Sequence, residues 1–466
     1  MIVTEGNRAY RQRRPLSLAV AVFLFCGFTF LLLPFLVVPA IWVCAVMATA
    51  TVGRFALLSV VALFERRPAD PSVEHPDRAP SIAFVIPCLN ELPSLKRTVP
   101  AMTSLVSDND IFFLYVCESA SRDGTTEYLR KRARTDKRMV LLERPGSPAG
   151  RGSAVRYGVS HLPECDLVGF LDADYTLDQT SFDRLLALMG REDSPMVLQG
   201  GCEAINETSG SLPRLLSLER RWVEQMELEA NPRLGGMCYF GVGQGFFQRR
   251  LFDDPRFVID ESALVDDIEL SCRLALAGHK VAYEPSVVSR CLEVTSLRGY
   301  LAQRYRWLRG WLQISRKYLG RCLRTRGLSR ALRADLLRFC MKPYRVGAVF
   351  ITLPAFIVLS VVGSFDAMTL ALLIVVLGMS LIAGVLPLIT GACPLRPREI
   401  FLSLLGMSLL LFSYSALFSV AMVEEYVLRA PRQYAKTDKS NSDWVESRAG
   451  TRETLKPEEV ATEEQS

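Results

Sequence analysis

The segment DLVGFLDADYTLD, residues 166–178, decides the reading of this chain. It begins as an apolar run with the length of a buried strand and ends abruptly in acid. If the strand continues through the acidic part, period-2 geometry turns Asp172 and Asp174 the same way. A pair of that kind suits joint capture of a hard divalent cation, Mg²⁺ or Mn²⁺, whose shell is completed by water and substrate phosphate. An isolated Asp-x-Asp is more often a solvated turn. Its position at the end of an apolar strand, with further acidic motifs following in order, favours the metal reading.

Outward from this segment, strand-like runs alternate with helix-like ones. SIAFVIP, FFLYVCE and SPMVLQG alternate with SLKRTVPAMTSLV and SFDRLLALMG. The alternation over residues 81–298 predicts an α/β domain on a mostly parallel sheet, with ligands at the carboxyl ends of the strands. PCLNE (residues 87–91) and ESASRDGT (residues 118–125) fall at such ends. Pro87, Asn90, Glu91, Glu118 and Asp123 are therefore candidates for the nucleotide of a donor, with Arg151 and Asp172 beside them. A plain Asx turn accounts equally well for Asp123 and Gly124.

Downstream, VDDIELSCRLALAGHK places Asp266 and Asp267 at the start of a helical pattern. Acids there also complement the helix dipole. The functional reading makes Asp267 a general base that deprotonates an acceptor hydroxyl, and puts Asp266 with the acceptor-side groups. GVGQGFFQRR (residues 241–250) supplies Gly243 and Gln244, where backbone can approach a ligand closely or merely turn. QRYRWLRGW (residues 303–311) carries Gln303, Arg304, Arg306 and Trp307. Its arginines suit a departing diphosphate and its tryptophan a sugar face. An amphipathic helix lying at a membrane interface explains the same residues.

The 466 residues are 50% hydrophobic and 22% charged, with a mean hydropathy of +0.19. That balance predicts a hybrid of soluble domain and membrane segments. Residues 1–15 form a basic N-terminus, and residues 16–64 are long enough for a two-helix hairpin. A linker covers 65–80, residues 299–345 form interfacial amphipathic helices, and 346–427 hold about three more spans. A polar tail without apolar periodicity, expected to be disordered, fills 428–466. Arginines flanking the hairpin put the central domain on the cytoplasmic side of a protein with about five spans. The net charge of +6 is thus read as topology rather than nucleic-acid binding. The twelve cysteines show no CxxC pair, which excludes a disulfide framework and a zinc site as readings.

In their order, DAD, VDD and QRYRW, bracketed by apolar blocks, resemble the family 2 inverting glycosyltransferases of processive type. These are the cellulose, hyaluronan, chitin and poly-N-acetylglucosamine synthases. The resemblance covers residues 80–315 by motif. It implies a GT-A fold, a UDP-sugar donor, metal at Asp172 and Asp174, and a catalytic base at Asp267. It puts Gln303, Arg304, Arg306 and Trp307 at the diphosphate and acceptor end. Implied partners are a polysaccharide or glycolipid acceptor, membrane lipids and accessory export subunits. Two departures stand out: Glu118 and Ser119 replace a usual pair of aspartates, and Asp266 replaces a usual glutamate. Transfer of a single sugar to a membrane lipid, such as a polyprenyl phosphate or diacylglycerol, is the rival within enzymes. A transporter or scaffold that binds a nucleotide is the rival outside them, and it leaves the acidic motifs unexplained.

Overall fold

The structure, a computed structural model, describes residues 37–64, 79–146, 150–241, 243–348, 374 and 397–429. The basic N-terminus, the first expected span (16–36), most of the linker, nearly all of 349–396 and the tail from 430 lie outside the described residues.

Strand β1 (Ile82–Cys88) shows why the chain folds as it does. Ile82, Phe84 and Ile86 point into one hydrophobic cluster while Val85 points into another, so both faces of the strand are buried. Strands β2 (Ile111–Glu118), β3 (Met139–Arg144) and β4 (Leu167–Leu171) join it in the parallel order β3-β2-β1-β4. Helix α2 (Leu92–Thr103) covers one face. Helix α4 (Arg151–Val159) covers the other, and α3 (Thr125–Ala133) links β2 to β3. Two glycines permit the close packing. A Cβ at Gly158 would lie 2.4 Å from a Val85 methyl, and one at Gly169 would lie 2.6 Å from the Phe84 ring.

Beyond β4 the sheet continues through β7 (Gln244–Gln248), β6 (Val197–Ala204), β8 (Val281–Cys291) and the short β5 (Thr176–Leu177). Helix α5 (Gln179–Met189) packs against β8 and is capped by Asp178, whose carboxylate accepts from the Ser181 amide at 2.8 Å. Here the expectation of a mostly parallel sheet holds for four of the seven ladders, and three are antiparallel. Strand β7 runs antiparallel to both β4 and β6, and β5 antiparallel to β8, so the sheet is mixed. The tight bridge Gly241–Gln244 opens β7, which enters the sheet between β4 and β6.

Helix α6 (Ser211–Val223) runs on as a π-helical segment, Glu224–Ala230, and a last turn, Asn231–Arg233. Helix α7 (Asp266–Leu276) precedes β8, and α8 (Leu297–Arg324) and α9 (Arg330–Cys340) follow it. Helix α1 (Val37–Phe64) docks on the π segment, with Leu58 buried against Met226 and Ala230. Helix α10 (Pro397–Met422) packs on α8 through Leu417, Phe418 and Ala421. Among the described residues no helix is long and apolar enough to cross a membrane.

The glycine contacts make a direct test. Gly169→Ala should lower the melting temperature, at a cost of about 1–3 kcal/mol for overpacking against Phe84. Gly320→Ala, in open space within α8, should raise it through helix propensity worth about 1 kcal/mol. Thermal unfolding of the two variants beside wild type reads both signs.

Candidate active site

Strand β4 stops at Leu171, and Asp172 to Tyr175 form a turn closed by the Tyr175 amide donating to the Asp172 carbonyl at 3.0 Å. The extended geometry expected for the acidic pair is therefore corrected: the two aspartates sit at different points of a turn. The turn is held from below. Thr98 Oγ1 donates to the Ala173 carbonyl at 2.8 Å and Arg97 to the Asp174 carbonyl at 2.5 Å. The Asp172 side chain is one-third exposed while Asp174 is buried.

Arg151 organises the centre. Its Nε donates to Asp172 at 2.6 Å and its Nη1 to Asp266 at 2.5 Å. Burial alone would weaken its charge, but Asp172, Asp266 and Asp267 together hold its pKa well above the ordinary value. A cation as the first residue of α4 faces the positive end of the helix, so those carboxylates also answer an unfavourable dipole contact. Gly150, at φ +110°, turns the chain into this helix, and Gly152 leaves room for Asp266. A Cβ at Gly152 would lie 3.2 Å from that of Asp266.

With Asp172 and Asp266 ion-paired, Asp267 is the carboxylate of this group that forms no ion pair among the described residues. It is half-buried, and its Oδ1 accepts from its neighbour's amide, Ile268, at 2.8 Å. Burial first, then the charge of Asp266, pushes it up to about 6, against the pull of Arg151. Its Oδ2 faces the glycine bridge, where a Cβ on Gly241 would come within 3.3 Å. Gly243, at φ +76°, does the same for Asp172: a Cβ there would lie 2.9 Å from Oδ2 and 2.6 Å from the Tyr175 ring. The Gly243 carbonyl also accepts from the Asp172 amide at 2.9 Å. Gln244, fully buried, donates to the carbonyls of Gly200 and Gly201 and fixes the loop to β6.

The ends of β1 and β2 form a second edge. Asn90 adopts φ +52° and accepts from the Arg122 amide at 2.7 Å, and Glu91 precedes α2. Pro87 lies within β1. Asp123 ties the edge together, accepting from the Leu92 and Thr125 amides at 3.0 Å each. Burial opposes its charge, but the Thr125 and backbone hydrogen bonds win and hold it below the usual aspartate range. Glu118 is buried on Arg144 at 2.8 Å, yet burial keeps its pKa raised.

QRYRW lies on α8. Arg304 pairs with Glu219 at 2.5 Å and lies 4.5 Å from the Trp307 ring centre, so it is committed to positioning that ring. Gln303 is buried, and Trp307 packs on the core. Arg306 donates to the Leu264 carbonyl at 3.4 Å while Gln313 accepts from the Leu264 amide at 3.1 Å. Gly310 permits this approach, since a Cβ there would lie 2.7 Å from Val265. Helix α8 thus seats the loop that ends in Asp266 and Asp267. Sequence reading missed Glu219 and Gln313; a glycine inside a helical pattern, Gly310, was the signal of close packing.

These residues fit a hard divalent cation at Asp172, which offers a partly exposed carboxylate beside the Arg151 guanidinium. Among the described residues no three His, Cys, Asp or Glu side chains cluster to cage a metal, so water and substrate oxygens must supply most of its shell.

Residues 79–310 match the family profile described as "Glycosyltransferase like family 2". A probable glycosyltransferase of Bacillus subtilis is 25% identical over 256 residues, 53% of this chain and 59% of that protein. A poly-beta-1,6-N-acetyl-D-glucosamine synthase of Staphylococcus aureus is 23% identical over 235 residues, covering 50% and 55%. A probable glucomannan 4-beta-mannosyltransferase of Oryza sativa is 24% identical over 292 residues, covering 58% and 50%. The chain therefore spans about half the length of the curated relatives it matches. Among solved structures, a mannosyltransferase from Pyrobaculum calidifontis, in complex with GDP-Man and Mn²⁺, superimposes with a TM-score of 0.55 at 17% identity. The match covers 84% of this chain and 99% of that one. That likeness shows a shared GT-A-like α/β fold with a mixed sheet, and the profile that residues 79–310 match is that of a family 2 glycosyltransferase domain.

Proposed function

We propose that this chain is an inverting, metal-dependent hexosyltransferase. It moves a sugar from a nucleoside diphosphate to a growing polysaccharide at a membrane face, with processive elongation. The observation that carries the reading is Asp267, a carboxylate with no ion pair among the described residues, facing the glycine bridge next to the Arg151–Asp172 pair and pushed up to about 6 by burial and by Asp266.

In this reading the acceptor hydroxyl attacks the anomeric carbon, and its proton passes to Asp267 Oδ2 as the new glycosidic bond forms. The bond from that carbon to the diphosphate oxygen breaks on the opposite face, which inverts the configuration. A single base suffices because a nucleoside diphosphate leaves without protonation once its charge is balanced. Arg151 and Arg306 supply cations to that balance. Mg²⁺ or Mn²⁺ held at Asp172, with Asp174 behind it, supplies the remaining positive charge when bound. Asn90, Glu91, Glu118 and Asp123 line the nucleotide edge. UDP is the donor base expected from the sequence resemblance, and GDP is its competitor, since the solved relative holds GDP-Man. Trp307, braced by Arg304, offers the apolar face for an acceptor sugar.

The membrane setting rests on the flanking helices. Val43, Val46 and Leu57 on α1 and Phe401, Leu405 and Leu409 on α10 are exposed, an apolar surface that a bilayer would cover. The catalytic domain then faces the cytoplasm, from the arginine distribution.

The full chain in detergent, given Mn²⁺ and each of UDP-glucose, UDP-N-acetylglucosamine, UDP-glucuronate and GDP-mannose, should release nucleoside diphosphate from one of them. Asp267→Asn should lower kcat by ~10²–10⁴-fold with donor KM nearly unchanged. A raised KM with kcat unchanged would make Asp267 a binding group instead. Chelation should abolish turnover, and added Mg²⁺ or Mn²⁺ should restore it. With a radiolabelled donor, a ladder of long products supports processivity. A single-sugar lipid product would replace that part of the reading.

A further inference from the structure

At the junction of α1, the π segment and α9, cations outnumber carboxylates. Glu227 is paired by Lys342 at 3.1 Å and accepts from Tyr239 at 2.7 Å. Burial resists its charge, but Lys342 and Arg338 hold its carboxyl down to about 2. Asp335 is paired by Arg338 at 2.7 Å and accepts from the Met237 amide and Asn231. Both carboxylates are thereby consumed.

Two guanidinium groups remain. Arg345 is 8% exposed and makes no ion pair among the described residues; its Nε donates to the Arg338 carbonyl at 3.0 Å and its Nη1 to Thr51 at 3.5 Å. Burial, and then the charge of Arg338, lowers its pKa to about 10. Arg54 likewise forms no ion pair among the described residues, with Asp335 acting on it only at a distance, and donates to the Asn231 side chain at 2.6 Å. It is the single charged residue of the 28-residue helix α1. An unpaired buried cation costs stability, and an ionisable group on an otherwise apolar helix marks a functional position. The surplus sits beside the exposed apolar residues Leu57 and Val60 of the same helix.

We propose that Arg54 and Arg345 form a binding site for a phosphate ester, an anion that supplies the charge this junction lacks. Guanidinium forks match phosphate oxygens, and two uncompensated charges match a monoester near neutral pH. The phosphate arrives either on a lipid, whose acyl chain lies along α1, or free in solution. No residue of this site belongs to the Arg151–Asp172–Asp267 group, and the site does not depend on the transfer reaction.

The test uses the full chain in detergent, with ligand-induced shifts in melting temperature as the readout. Lysophosphatidic acid carries a phosphate monoester on one acyl chain, lysophosphatidylcholine masks the same phosphate, and inorganic phosphate has no chain. Lysophosphatidic acid should give a saturable upward shift and lysophosphatidylcholine none. Inorganic phosphate matching it would identify a soluble source, and weaker binding by inorganic phosphate would identify a lipid. Arg54→Gln and Arg345→Gln should each weaken the binding by about tenfold, one lost charge-assisted hydrogen bond. Their unliganded melting temperatures should be equal to or above wild type, because each removes an uncompensated charge. Undiminished binding by both variants, equal shifts from the two lysolipids, or melting temperatures that fall in the absence of ligand would overturn the proposal.

Discussion

The guanidinium of Arg151 is the contact on which the catalytic arrangement depends. It joins three pieces of chain that are distant in sequence: the start of α4, the turn after β4 and the head of α7. Without it Asp172, Asp266 and Asp267 would be like charges sharing a poorly solvated space, a situation that forces protonation or separation. Removing one partner of so buried a pair costs about 3–5 kcal/mol, so the brace is structural as well as electrostatic. Because it neutralises Asp172 and Asp266 by direct contact and Asp267 only at a distance, it divides three similar carboxylates into two roles.

Helix α8 supports the same group from behind. Its Lys317 and Tyr318 reach Glu269 of α7 at 2.5 Å each, and Lys317 also reaches Asp260 at 2.6 Å. Arg309, buried two turns earlier in α8, pairs with Glu424 and Glu425 just after α10. The helix bearing QRYRW is therefore tied on one side to the catalytic loop and on the other to the apolar C-terminal helix. Displacement of α10 would be transmitted to Leu264 through α8, since Arg306 and Gln313 hold both polar groups of that peptide.

Much of this was legible in the sequence because it depends on local pattern. The alternation of apolar runs places β1, β2, β4 and β6 with helices α2 and α5, and the acids of VDD do begin a helix, at Asp266. The reading failed where period-2 geometry was carried past Leu171: the chain there is released from the β4 ladder and turns on its own hydrogen bonds. It missed β7, read only as the glycine segment GVGQGFFQRR, which enters the sheet antiparallel to both neighbours. Arg151 was legible as a donor contact but not as a brace, since Asp266 lies 115 residues away. The same holds for Glu219, 85 residues from the Arg304 it pairs with. Arg304 itself, expected to meet diphosphate, is turned aside by that pairing. The π-helical segment carries no sequence signal at all, yet it places Glu227 and Asn231 at the junction with α1.

The pH dependence of kcat/KM, compared between wild type and Arg151→Gln, tests the division of roles most directly. Asp267 must be ionised to accept a proton, so activity should fall as pH drops through about 6. Since Arg151 lowers that pKa, its removal should move the acid limb to higher pH while leaving activity measurable at alkaline pH. An acid limb at the same pH in both proteins, or none above the ordinary aspartate range, would contradict the account.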